Sequence, residues 1–220
     1  MDAAISRKNF IKGALLTGAA LFLDFDGTLA PIADTPDGVH VDDDLLALLA
    51  GCATSGDRAM PPLASTATVD LERYMGRWWV IANIPYFAEN GKLATADIYD
   101  RRPDGRIGNV YAYRKAFDKP EKTMNGVATV VPGTNNAQWK IAFFGGLVKA
   151  DYLILEVAPD YSWALIGHPK RNLAWIFARE QAMDDAQYQQ LRAKFAAYGY
   201  DPAKLQRVPQ FPNQLGQPSF

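Results

Sequence analysis

From Leu71 to Arg179 apolar and polar residues alternate with a period of two, and turn-forming residues break the alternation at short intervals. The runs predict strands over 77–84, ended by Pro85, and over 94–101, closed by Pro103-Asp104-Gly105. Further strands follow over 107–117, 122–131, 138–144, 152–157, 163–167 and 173–179, separated by Pro- and Gly-containing turns. Eight short strands in series make an antiparallel meander, and eight is the number at which a closed sheet encloses one small ligand. After Arg179 the period lengthens. Tyr188, Leu191, Phe195 and Tyr198 fall at helical spacing, Asp184 stands as N-cap with Gln187 three residues on, and Gly199 occupies the C′ position. The predicted fold is all-β: an eight-stranded antiparallel up-and-down barrel over 67–210, with one C-terminal α-helix on its outer wall. Residues 211–220, rich in Pro, Gln and Gly, predict a flexible tail.

Composition narrows the function. The 220 residues are 49% hydrophobic and carry a net charge of −1, which argues against a nucleic-acid partner held through its phosphates. No apolar run reaches the length of a membrane span. The one cysteine, Cys52, forms no internal disulfide, and its setting Leu49-Ala50-Gly51-Cys52 resembles the bacterial lipobox. A basic start (Arg7, Lys8, Lys12) and the apolar stretch 13–23 supply other parts of an export signal over 1–52. That resemblance implies lipidation of Cys52, membrane attachment through it, and a linker over 53–66.

The leader is broken between Leu23 and Leu45 by Asp24, Asp26, Asp34, Asp37 and Asp42-Asp43-Asp44, charges foreign to a signal core. Leu21-Phe22-Leu23-Asp24-Phe25-Asp26-Gly27-Thr28-Leu29 resembles the first motif of haloacid-dehalogenase-type phosphatases, and Ala30-Pro31-Ile32-Ala33-Asp34 is similar to the trehalose-phosphate branch. The resemblance implies Asp24 as nucleophile and Asp26 as general acid, with Mg²⁺ offsetting the charge. It covers only about residues 20–50. The Ser or Thr, the Lys and the distal acidic pair that such an enzyme needs have no evident counterparts. Asp184-Asp185 reads better as a helix start. The fragment is therefore expected to be inactive, and the protein to work without catalysis, cofactor or resident metal.

Gly76-Arg77-Trp78, Asp151-Tyr152 with Pro159-Asp160-Tyr161, and Arg179 occur in the order of the three lipocalin signatures. Val69 to Trp78 and Tyr161 to Gly167 are similar to the bacterial outer-membrane lipoprotein lipocalins, relatives of the apolipoprotein D-like lipocalins. Gly76, Trp78, Asp151, Tyr152 and Arg179 are then structural: Trp78 plugs one end of the barrel and the Arg179 guanidinium lies across its indole.

Alternation nominates the cup's wall. With Trp78 inward, Val80 and Ala82 share its face, and Tyr111, Tyr113, Trp139, Ile141 and Phe143 are candidates to touch a ligand. Arg114, Lys115, Lys122 and Lys140 are weaker candidates to meet a charged head group at the rim. His168 reads as a turn residue, and His40 falls in the interrupted leader. The resemblance implies binding, storage or transport of fatty acids or lysophospholipids, by a protein anchored to the periplasmic face of a bacterial outer membrane. A homodimer stays open. The alternatives are an Mg²⁺-dependent sugar-phosphate phosphatase on Asp24 and Asp26, and a surface lipoprotein whose cup is filled by its own side chains.

Overall fold

Period-two alternation becomes a closed sheet in the computed structural model, which describes residues 60–218 and 220. A one-turn helix, α1 (Leu71–Tyr74), is N-capped by the Asp70 carboxylate and leads into β1 (Gly76–Asn83). The meander continues through β2 (Leu93–Arg101), β3 (Ile107–Arg114), β4 (Lys122–Val130) and β5 (Gln138–Phe143). It is completed by β6 (Val148–Val157), β7 (Trp163–Gly167) and β8 (Ala174–Ala178). Each strand pairs antiparallel with the next, and β8 and β2 both pair with β1, so the ring closes. This is the expected eight-stranded barrel.

Boundaries shift where local geometry outweighs pattern. β6 starts at Val148, four residues before the predicted run, because Val148, Lys149, Ala150 and Asp151 pair in register with β5. β3 stops at Arg114, whose guanidinium folds back to donate to Lys119 O at 2.5 Å and tightens the following turn.

The helix α2 (Asp185–Lys194) begins where expected, with the Asp184 carboxylate accepting from Gln187 N–H. It tightens into a 3-10 turn, Phe195–Tyr198, and ends at left-handed Gly199. Its stripe of Tyr188, Leu191 and Phe195 packs on the outer faces of β1, β6, β7 and β8, against Ile81, Leu153, Leu165 and Ile176. Burying such side chains contributes about 1.5–3 kcal/mol each.

A second core lies inside the barrel, around Trp78, Val80, Trp139, Ile154, Ile166 and Phe177. The two cores explain one departure from strict alternation. Ala82 was expected on the face of Trp78, but a bulge between Val80 and Ala82 places Ile81 and Ala82 together under the helix. Beyond the bulge Asn83 pairs with Trp175 on the inner face.

The C-terminus is also more ordered than its composition predicts. A ninth short strand, β9 (Gln206–Arg207), pairs with Ala82 and Asn83 of β1. Val208 N–H then donates to Ile81 O, and Pro209 O accepts from Ala94 N–H of β2. Gln210, buried, donates its side-chain amide to Val80 O at 2.7 Å and Thr95 O at 3.4 Å. β1 and β2 pair directly only over Gly76–Trp79, so residues 206–210 stitch the rest of that seam. Residues 211–220, expected as a loose tail, hold a 3-10 turn (Pro212–Gln214), and the Phe220 ring lies 4.4 Å from the Arg207 guanidinium carbon. Residues 61–66, expected as tether, also dock: Leu63 N–H donates to Pro169 O and Ser65 Oγ to Ile154 O.

The barrel's closed end is held by Arg179. Its guanidinium carbon lies 3.8 Å from the centroid of the Trp78 ring. Nη1 donates to Arg77 O at 2.9 Å and Nη2 to Arg73 O at 2.7 Å, tying β8 to α1 and β1. Gly76, at φ +94°, brings the chain so close that a Cβ would sit 3.2 Å from Nη1. Only the planar fork of Arg makes all three contacts. Arg179→Lys is expected to lower unfolding free energy by about 2 kcal/mol, read as a lower urea midpoint with unchanged slope.

Candidate functional site

Above that closure stands an aromatic floor. Trp78 Nε1 donates to Tyr74 O at 2.8 Å, and Trp139 Nε1 to Asn136 O at 2.7 Å. The Trp139 ring meets Tyr74 and Tyr99 edge-on, with centroids 5.4 and 5.3 Å away, and stacks on Tyr152 at 5.2 Å. The three tyrosine hydroxyls form a chain, Tyr99 to Tyr152 at 3.1 Å and Tyr152 to Tyr74 at 2.7 Å. Burial lifts the pKa of each hydroxyl, so all three are neutral donors and acceptors. Tyr152 thus serves the floor. Trp139, fully buried here, closes the bottom of the cup, while other candidates form its wall.

Strand register assigns the inner face. Trp78 pairs with Asp97, Asp97 with Tyr111, and Tyr111 with Met124, so these residues point into the lumen together. Tyr99 pairs with Asn109, Asn109 with Gly126, and Gly126 with Phe143. The Phe143 ring lies across Gly126, where a Cβ would meet it at 2.8 Å. Val80 and Ile141 belong to the inner core. Tyr111 and Tyr113 stack on one another at 5.5 Å, and the Lys92 ammonium lies 3.8 Å from the Tyr113 centroid.

Asp97, Met124, Phe143 and Trp175 face inward yet retain intermediate exposure. Solvent therefore reaches part of the lumen's lining above the floor, while Val80, Tyr111, Tyr113 and Ile141 are buried.

Sequence reasoning missed the polar part of this wall. Asp97 accepts from Asn109 Nδ2 at 2.8 Å, and enclosure in the barrel raises its pKa from 3.8 to about 7. Glu89, from the loop between β1 and β2, accepts from Asn83 Nδ2 at 2.5 Å and Trp175 Nε1 at 2.9 Å. Its pKa is also raised, again by burial first. Tyr111 Oη is buried and has no hydrogen-bond partner. Asp97 could have been found by the parity of the second strand; Glu89 could not, because loop geometry places it. Asn83, Glu89 and Lys92 also border a cavity of about 230 Å³ between this loop and residues 206–209.

Other candidates fall elsewhere. Lys140 pairs with Asp151 directly across β5 and β6 on the outer face, so it cannot meet a head group in the cup. His168 is a turn residue whose Nδ1 accepts from Lys170 N–H at 3.2 Å. Asp24, Asp26, His40 and Cys52 lie outside the described residues. Among the described residues no group of three or more His, Cys, Asp or Glu could hold a metal ion.

A ring of eight strands, sealed below by an indole under an arginine and open above, defines a one-ended ligand-binding barrel. A family model described as a lipocalin-like domain matches residues 69–210, and the chain belongs to that family. It is 34% identical over 149 residues to temperature-induced lipocalin-1 of Arabidopsis thaliana, covering 64% of this chain and 80% of that one. It is 28% identical over 151 residues to outer membrane lipoprotein Blc of Escherichia coli K12, covering 66% and 82%. Insecticyanin from Manduca sexta superposes with a TM-score of 0.55 at 18% identity, over 73% of this chain and 89% of that one, which supports the fold alone. Lipocalins are typically carriers of small hydrophobic molecules, so the chain's class is a binding protein.

The raised pKa of Asp97 has a signed consequence. The folded state holds this proton up to about pH 7 and the unfolded chain releases it near 3.8, so its contribution to stability falls as pH rises between those values. Asp97→Asn is expected to be more stable than the unsubstituted protein at pH 8 and to lose that advantage at pH 4, measured by urea denaturation.

Proposed function

We propose that the protein binds single-chain lipids, fatty acids or lysophospholipids, and stores or moves them at a bacterial envelope. The observation that carries this reading is the solvent-reached lumen above a sealed aromatic floor. An acyl chain entering it leaves water at a gain of about 0.8 kcal/mol per methylene. Eight to ten buried methylenes give roughly 6–8 kcal/mol before the cost of ordering the chain. Val80, Ile141 and Phe143 would line the chain, with Tyr111 just above the floor and Tyr113 toward the mouth.

Trp175 is the natural reporter, since it faces the lumen and holds Glu89. Titration with C16 lysophosphatidylcholine or palmitate is expected to give a saturable change in tryptophan emission that Trp175→Phe largely removes. A chain that saturates with neither lipid would sink the proposal.

The envelope location rests on the lipobox-like Cys52 and on relatives named outer membrane lipoproteins. In this reading Cys52 carries lipid, and its acyl chains hold the barrel at the periplasmic face of the outer membrane. Mass spectrometry of the membrane-fraction protein is expected to find a lipidated N-terminal Cys52. An intact Met1 form in the soluble fraction would remove the anchor.

A further inference from the structure

The lumen is two-sided. Inward residues of β4 to β8 are mainly apolar, Ala128, Ile141, Ile154, Ile166 and Phe177. The β2–β3 wall instead presents Asp97, Asn109 and Tyr111, with Glu89 reaching in from the loop above. Asp97 pairs with Trp78 of the floor, so the polar wall begins immediately above the sealed end.

This wall has unmet hydrogen-bonding capacity. Asn109 supplies the only protein hydrogen bond that Asp97 receives among the described residues, and it goes to Oδ1. Directly across the β2–β3 ladder, the Tyr111 side chain is 4% exposed and its hydroxyl has no partner. Burial first, and then the nearby Glu89 and Asp97 carboxylates, keep the proton on that hydroxyl. A buried hydroxyl without a partner is destabilising, and a ligand group that bonds to it removes that cost.

We propose that the Asp97–Tyr111 pair is a polar subsite for a hydroxyl or amino group carried on an apolar chain, and that it disfavours a carboxylate. A hydroxyl donates to Asp97 and completes Tyr111. An ammonium donates to both, since the phenol oxygen accepts. A carboxylate could accept from Tyr111 but would meet Asp97 and Glu89 as like charges. The inference rests on the lipid-binding reading and sharpens it: chain length contributes affinity, and the donor group contributes choice.

A matched C12 series decides the matter. Dodecanol, dodecylammonium and dodecanoate are titrated below their micellar concentrations at pH 8 by calorimetry. The alcohol and the ammonium are expected to bind about tenfold or more tightly than the carboxylate. Asp97→Asn is expected to erase most of the ammonium's advantage over dodecanoate. Tyr111→Phe, which removes no existing bond, is expected to weaken dodecanol about threefold or more. Dodecanoate binding as tightly as the other two overturns the subsite and leaves lipid binding standing. A ratio unmoved by Asp97→Asn overturns it as well. Failure of all three to bind removes the subsite together with the lipid-binding reading.

Discussion

The contact on which this barrel depends is Arg179 lying over Trp78. An eight-stranded sheet can close laterally by strand pairing, but pairing leaves both ends open. At one end a single guanidinium covers an indole and takes up the carbonyls of Arg73 and Arg77. It thereby joins the last strand, the first strand and the short helix before it. Everything above inherits its position from that point: the tyrosine chain rests on Trp78 and Trp139, and the lumen begins where those rings end. Because the guanidinium is always charged, the contact holds across any pH the fold survives.

Much of this was legible in the residues. Alternation located all eight strands, and the change of period after Arg179 located the helix with its Asp184 cap. The order of Gly76, Trp78 and Arg179 indicated a sealed end. What alternation could not supply was parity beyond an irregularity. One inserted residue at Ile81 moves Ala82 from the lumen to the helix side, and a similar irregularity between Ile154 and Glu156 keeps Glu156 on the helix side and returns Val157 to the inner core. Such bulges carry no strong sequence mark.

The polar wall was missed for a related reason. Asp97 sits in a strand whose hydrophobic pattern directs attention to its neighbours, and a carboxylate in a greasy cup looks like an outward residue until register is known. Glu89 depends on a loop whose path no periodicity encodes. Its carboxylate is fixed by Asn83 and Trp175, which are far apart in sequence and become neighbours only through the pairing of β1 with β8. The C-terminal segment misled in the opposite sense. A composition rich in Pro and Gln suggested looseness over 211–220, yet those residues hold a 3-10 turn and bring the Phe220 ring onto the Arg207 guanidinium.

That stitched seam has a consequence for how the container is closed. β1 is among the first parts of the barrel to be synthesised, and the residues that bridge its upper half to β2 are among the last. Without residues 206–210 the ring would be a split cylinder, parted along one side from the level of Val80 upward. A hydrophobic passenger could slip in or out sideways through that gap. Residues 206–210 close that gap and leave the mouth as the doorway, so the container owes its rim to a strap far from β1 in sequence.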